Sequence, residues 1–390
     1  MDNRLENQMA ITATNGGAEL NGRIITLKKY HDTILTVLIA LSVSVSTLWF
    51  MRPLNFYIFG QDSYSFIHPL YYSVNPFYSF NNGIENIFSA SIISLLGHLV
   101  TESQSLERVL AIIGVFVSLI GLGDLIQLFK KIGGSSRNSP LFLVIPMVFY
   151  VYNPYTLTVT WPHFLTWSAS MITAPYIISF FIYVIYYGFN MRRFALTSIL
   201  LMILAGTVSG AMLPFFLIIA FVAFIFSGIY TILKKLEIGE LLKRESTILA
   251  FVIAISLFTF LPLYFSKVYS TPASYSTSYI LQYWESESSS TTLEKVLSLL
   301  AYNQVSPGSL SYPWIQSLSI ISLFSLLIII IVAIRIFIRG IHRPVLFLGI
   351  ISLLAVVFST GSNFPFGYIN EKLLLLKGPL PGLFFILIRP

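Results

Sequence analysis

Apolar runs of bilayer-crossing length recur from Thr33 to the C-terminus, and clusters of Lys and Arg fill every second gap between them. A helix needs about 20 predominantly apolar residues to cross hydrocarbon, with a tolerance of roughly 17–25. Runs over 33–51, 108–129, 140–158, 168–188, 194–210, 212–232, 246–265, 314–338 and 343–359 meet or approach that length, and a further one starts near Leu380. They are continuous rather than alternating, which argues against a closed barrel of strands. The expected fold is all-α, a polytopic transmembrane helix bundle of about 9–10 spans.

The polar residues agree with that reading. With 56% hydrophobic and 10% charged residues and a mean hydropathy of +0.80, too little polar surface remains to cover a water-soluble domain. The net charge of +7 does not indicate nucleic acid, because the basic residues sit in short clusters between spans rather than on one solvated face. Cysteine is absent, which removes disulfides, thiolate metal sites and cysteine nucleophiles. No Asn-x-Ser/Thr sequon occurs, so no N-glycosylated loop is expected.

Sidedness follows from where the cations fall. Arg23, Lys28 and Lys29 precede the first run; Lys130, Lys131 and Arg137 follow the second; Arg192 and Arg193 follow the fourth. Lys234, Lys235, Lys243 and Arg244 follow the sixth, and Arg335, Arg339 and Arg343 the eighth. All of these gaps lie on one side, which the positive-inside rule makes cytoplasmic. The expected organisation is a polar cytoplasmic tail over 1–32, which lacks the features of a cleaved signal peptide, and a transmembrane domain over 33–390. Outer loops are expected over 52–107, 153–167, 266–313 and 360–379. The second half of the first outer loop, Glu85–Val100, has the pattern of an amphipathic interfacial helix, and a helical pattern also covers Leu293–Ala301.

That placement makes Gly60-Gln61-Asp62-Ser63-Tyr64 the leading chemical motif, just outside the first span. Asp62 suits a base that deprotonates an acceptor hydroxyl, or a ligand for a divalent cation (Mg or Mn) together with Gln61 and water. It equally suits the N-cap of a short helix over Ser63–Pro69. His68 and Glu85 share the loop and are candidate substrate contacts, with purely structural roles as their alternative. Asn153-Pro154 and Trp161-Pro162-His163 form a second segment near the outer end of the third run. Prolines there free backbone carbonyls, and His163 suits donation to a phosphate or sugar oxygen or a solvated place in an aromatic belt. Asp124 is the one acid well inside a span. Lys130 and Lys131, about one and a half turns away, offer pairing or snorkelling as its explanation. Gly121-x-Gly123 and Gly206-x-x-x-Gly210 suit close approach of helices.

Three elements together resemble the GT-C superfamily of membrane glycosyltransferases, especially the arabinofuranosyltransferase-like membrane proteins of actinobacteria and archaea. They are the Asp motif Gly60-Gln61-Asp62, the Asn153-Pro154 to His163 segment, and a late turn over Gly361–Tyr368 that leads to Arg389-Pro390. The resemblance implies a transferase that takes a sugar from a polyprenyl-phosphate donor and passes it to an extracytoplasmic glycan or protein, within the lipid of the cell membrane. It places Asp62 at the acidic position of the first outer loop. Arg52 and Arg389 are the outer cations placed to meet the donor phosphate. Two departures stand: Gln61 occupies the place of a second adjacent acid, and the chain ends where relatives continue, as in a truncated or inactive member. The competing expectations are a lipid or glycan transporter or flippase, and a non-catalytic membrane scaffold. Transporters more often show repeat symmetry and polar residues at the midplane.

Overall fold

The computed structural model of the chain describes residues 32–48, 103–133, 140–153, 156, 164–205, 209–269, 282, 285, 293–297, 320, 343–359, 363 and 365–374. Among these residues every regular element is a helix and none is a strand. In chain order they are α1 (Asp32–Leu48), α2 (Ser103–Ile132), α3 (Leu141–Tyr152), α4 (Phe164–Tyr187), α5 (Met191–Ala205), α6 (Ser209–Lys234), α7 (Ile238–Tyr269), α8 (Leu293–Leu297), α9 (Arg343–Ser359) and α10 (Gly367–Leu374). The spans expected at 314–338 and near Leu380, and the interfacial helix at Glu85–Val100, lie outside the described residues.

Two of the connections show how local chemistry ends one helix and starts the next. After α4, Gly188 takes φ +83° and its N–H donates to Val184 O at 3.0 Å, the left-handed stop that glycine adopts without a Cβ penalty. Two residues on, the Asn190 side-chain oxygen accepts from the Arg193 N–H at 3.0 Å, capping the start of α5. After α6, Lys235 adopts φ 53°, and N–H groups of Lys235 and Leu236 donate to Ile232 O and Thr231 O at 3.1 and 3.0 Å. That pair of bonds is a Schellman motif with a lysine where glycine is usual.

Side-chain contacts fix the relative directions of α1, α2, α3, α4, α6 and α9. Thr36, near the start of α1, accepts from Gln127 near the end of α2 at 3.0 Å, so α1 and α2 run antiparallel. Ser46 and Tyr152 join the C-terminal ends of α1 and α3 at 2.5 Å. Lys131 of α2 lies over the Tyr187 ring of α4, and Tyr186 of α4 meets Tyr230 of α6 with centroids 4.8 Å apart. Hence α2, α4 and α6 end together, and α5 and α7, joined to them by the short connections above, begin there. The helices α1 to α7 thread alternately up and down. Phe347, near the start of α9, meets Phe226, near the end of α6, at 5.5 Å, so α9 begins at that same end.

Two packed interiors hold this arrangement. Between α1, α2 and α3 lie Ala40, Val43, Val115, Leu119, Leu143, Met147 and Val151. The larger one is centred on Phe251 of α7, whose ring stands 4.3 Å from Phe180, 5.8 Å from Phe181 and 5.7 Å from Phe194 and Phe216. These separations are those at which aromatic rings attract through edge and offset contacts. The outward faces are apolar too: Leu38, Ile145, Phe221, Ile232, Leu249 and Leu353 are all exposed. Two stretches, Arg108–Ile132 and Phe216–Lys234, are long and apolar enough to cross a membrane, and Asp32–Leu48, Leu141–Tyr152, Met171–Tyr187 and Leu346–Phe358 form shorter apolar helices.

The helix ends differ from the ends of the apolar runs in several places. The helix of the third run ends at Tyr152 rather than 158, where Asn153 takes an extended backbone conformation. The loops expected at 153–167 and 266–313 lose residues to the start of α4 at Phe164 and the end of α7 at Tyr269, and α8 covers Leu293–Leu297. The loop expected at 360–379 contains α10, and the tail expected over 1–32 yields Asp32 to α1. Helices here extend past their apolar windows into polar flanks, as in α7, whose first turns carry Glu240, Lys243 and Arg244.

Candidate functional site

Among the proposed catalytic, substrate and metal residues, Asn153 is the one that is described; Arg52, Gln61, Asp62, His68, Glu85, His163 and Arg389 lie outside the described residues. The Asn153 amide donates to Phe149 O, Tyr150 O and Thr156 Oγ1 at 3.2, 2.9 and 2.9 Å. Its Oδ1 accepts from the Thr156 N–H at 3.0 Å. The Thr156 hydroxyl also donates to Tyr150 O at 3.1 Å. These bonds satisfy carbonyls that the end of α3 would otherwise leave orphaned.

Asp124 has a partner that sequence spacing did not indicate. Its two carboxylate oxygens accept from Arg193 Nη1 and Nη2 at 2.6 and 2.8 Å, a bidentate fork. Ser179 Oγ donates to the same carboxylate at 2.6 Å and accepts from Arg193 Nη1 at 2.7 Å. The Arg193 guanidinium also lies 4.6 Å from the centroid of the Tyr183 ring. The expected pairing with Lys130 or Lys131 is thereby replaced by one with Arg193, which brings α2, α4 and α5 together. Both oxygens of Asp124 are engaged in fastening these helices together.

A second polar knot surrounds Pro175 inside α4. Proline has no N–H, so Met171 O loses its helical donor. Tyr150 Oη of α3 donates to it at 2.7 Å and Ser118 Oγ of α2 at 3.0 Å. One turn along, Tyr176 Oη donates to Val117 O at 2.8 Å, its ring lying where a Cβ on Gly121 would stand. Gly123 is likewise filled by the Thr36 methyl. The glycine pair expected to permit close approach does so on both sides of α2.

The end where α2, α4 and α6 finish gathers the basic residues. Arg244 is buried, donates Nη1 to Ile185 O at 2.8 Å and lies 5.4 Å from the Tyr230 ring centroid; it caps the last turn of α4, where a cation is favoured by the helix dipole. Lys243 pairs with Glu240 at 3.0 Å. Burial raises the Glu245 carboxyl above its usual 4.5. At the opposite end, Asn370 of α10 is buried and donates to Val357 O at 2.9 Å, tying the short helix back to α9.

Among the described residues no three His, Cys, Asp or Glu side chains gather in a way that could hold a metal ion. The cation expected at Asp62 would be held outside them. No protein family, curated protein or solved structure matches this chain.

Proposed function

We propose that this chain is a multi-pass membrane protein that transfers a sugar from a polyprenyl-phosphate donor to an extracytoplasmic glycan or protein. The observation that carries the membrane part is the distribution of polarity. Inside the bundle, the hydroxyls of Ser118, Tyr150, Tyr176 and Ser179, the Asp124 carboxylate and the Arg193 guanidinium are bonded to one another or to carbonyls. Large apolar side chains face outward from α1, α3, α6, α7 and α9. Hydrocarbon solvent favours that inversion, since an unpaired polar group there costs several kcal/mol. The shortage of conventional polar covering also fits the mean hydropathy of +0.80.

The transferase part rests on the resemblance at Gly60-Gln61-Asp62, Asn153-Pro154 to His163, and Gly361–Tyr368. In this reading the prenyl tail lies between helices, and Arg52 or Arg389 meets the donor phosphate. Asp62 takes the proton of the acceptor hydroxyl as that oxygen bonds to the anomeric carbon. The bond from that carbon to the phosphate oxygen breaks, and polyprenyl phosphate departs with the electron pair. Gln61, His68, Glu85, Asn153 and His163 are the proposed substrate contacts. A bound Mg or Mn ion at Asp62 would supply Lewis-acid charge stabilisation.

Membranes supplied with polyprenyl-phosphate sugar test this directly. Asp62→Ala and Asp62→Asn are expected to lose transfer by about 100-fold or more, the usual scale of general-base catalysis. Full activity in both variants would remove Asp62 from the mechanism.

A further inference from the structure

The ends of α2, α4 and α6, with the starts of α5 and α7, form one surface whose charges are only partly used. Ring and cation contacts run across it without a break: Arg193 to Tyr183, Tyr183 to Tyr187, and Tyr187 to Lys131 at 4.6, 5.1 and 4.4 Å. On the other side Tyr186, Tyr230 and Arg244 continue at 4.8 and 5.4 Å. Arg193 is neutralised by Asp124 and Lys243 by Glu240, while Arg244 caps Ile185 O. Lys131, Arg192, Lys234 and Lys235 remain exposed, and no carboxylate pairs with them among the described residues. Glu237 and Glu245 share this end and lower its excess of positive charge without removing it.

We propose that this surface docks the phosphate headgroups of anionic phospholipids, held at Lys131, Arg192, Lys234 and Lys235. Charge complementarity supplies the attraction, and the neighbouring side chains select a lipid over an acidic protein. Immediately beside the cations, Met191, Ile232, Leu233 and Ile238 are 66%, 73%, 55% and 75% exposed. They belong to three helices, α5, α6 and α7, and a partner must cover all three together. A leaflet does, because acyl chains surround the bundle while phosphates meet the cations above. The tyrosines sit at the level where one edge is apolar and the other wet. Juxtamembrane cations near an anionic leaflet are each attracted appreciably, and salt screens the effect within a Debye length. This inference rests on the membrane reading above and is independent of sugar transfer.

The absence of cysteine allows one reporter: the full-length protein carries Ile238→Cys with a fluorophore and is reconstituted in phosphatidylcholine vesicles containing a minor fraction of headgroup-labelled lipid. Energy transfer to labelled phosphatidylglycerol is compared with transfer to labelled phosphatidylcholine at low salt. Roughly tenfold enrichment of the anionic lipid around the reporter is expected, falling towards unity at high salt. Substituting Lys131, Arg192, Lys234 and Lys235 all by Gln is expected to abolish the enrichment. Its thermal midpoint in pure phosphatidylcholine should remain that of the parent, which separates lost binding from lost folding. If that variant unfolds, the four single Gln substitutions are read instead, each expected to lower the enrichment. Millimolar glycerol phosphate should not compete, identifying a leaflet rather than a free phosphate as the partner.

Equal transfer to both lipids, or enrichment unchanged in the Gln variants, overturns the inference even where transferase activity is intact. Conversely, an Asp62→Asn protein without transferase activity should keep its lipid preference. Failure to enter vesicles at all would overturn the membrane reading and this inference together.

Discussion

Asp124 shows what one residue can and cannot announce. A carboxylate within an apolar run is conspicuous in sequence, and its need for a partner follows from the cost of an unpaired charge away from water. The identity of the partner is a tertiary fact: Arg193 lies 69 positions away and reads in sequence only as one of several sidedness markers. Asn153 was likewise visible, but its role in closing α3 through Phe149, Tyr150 and Thr156 depends on backbone geometry. The Asp124–Arg193 pair makes a sharp prediction. Asp124→Ala and Arg193→Ala should each destabilise by about 1.5–3 kcal/mol, the range for hydrogen bonds to charged groups. The double variant should cost less than their sum, because each single change also strands a charge. Unfolding in matched lipid or detergent measures the cycle, and strict additivity would show that the two groups are not coupled. Arg193→Lys should recover only part of the loss, since an ammonium cannot supply the planar fork.

At the level of helices, apolar length located α2, α4, α6 and α9 well, because those windows are bounded by cations, Gly188 or Pro344. It mislocated the ends of α3 and α7. In α3, capping by Asn153 stops the helix while the sequence is still apolar. In α7, helical pairing continues through Glu240 and Arg244, where hydropathy has already fallen. The glycines of α2 were legible as approach points, whereas their occupants, the Tyr176 ring and the Thr36 methyl, were not. Two substitutions test opposite consequences of backbone space. Gly121→Ala should destabilise by about 1–3 kcal/mol, since it forces the ring away and loosens its bond to Val117 O. Lys235→Gly should stabilise by up to about 1 kcal/mol, by relieving a left-handed conformation that costs a side-chain-bearing residue about 1–2 kcal/mol, less the extra chain entropy of glycine. Thermal or denaturant unfolding under one lipid condition compares both; a tolerated Gly121→Ala would mean that α2 and α4 are not held in contact there.

For the molecule as a whole, the alternation of basic and non-basic gaps predicted which connections share a side. The contacts from Lys131 to Tyr187, Tyr186 to Tyr230 and Arg244 to Ile185 bring three of those basic clusters to one end. The described helices therefore carry in their threading the same up-and-down order that the charge pattern implies. Which compartment each end faces is the matter for experiment. In the cysteine-free chain, Tyr368→Cys is expected to react with an impermeant thiol reagent added outside intact cells. Lys235→Cys is expected to react only after permeabilisation. Reaction of both from outside, or of Lys235→Cys alone, would invert or dissolve the proposed topology. The candidate site was legible only as short motifs around Asp62 and His163, because convergence of loop residues is a property of the folded chain and leaves no periodic trace in sequence.

The carbonyl of Met171 also bears on how such a chain is made. Pro175 leaves that oxygen without a helical donor, and the replacements come from Ser118 and Tyr150, both translated earlier. In the proposed membrane protein, α4 would leave the ribosome after the two helices that repair it. Under that reading biosynthetic order and repair order coincide, and α4 meets its two repairing helices already in place.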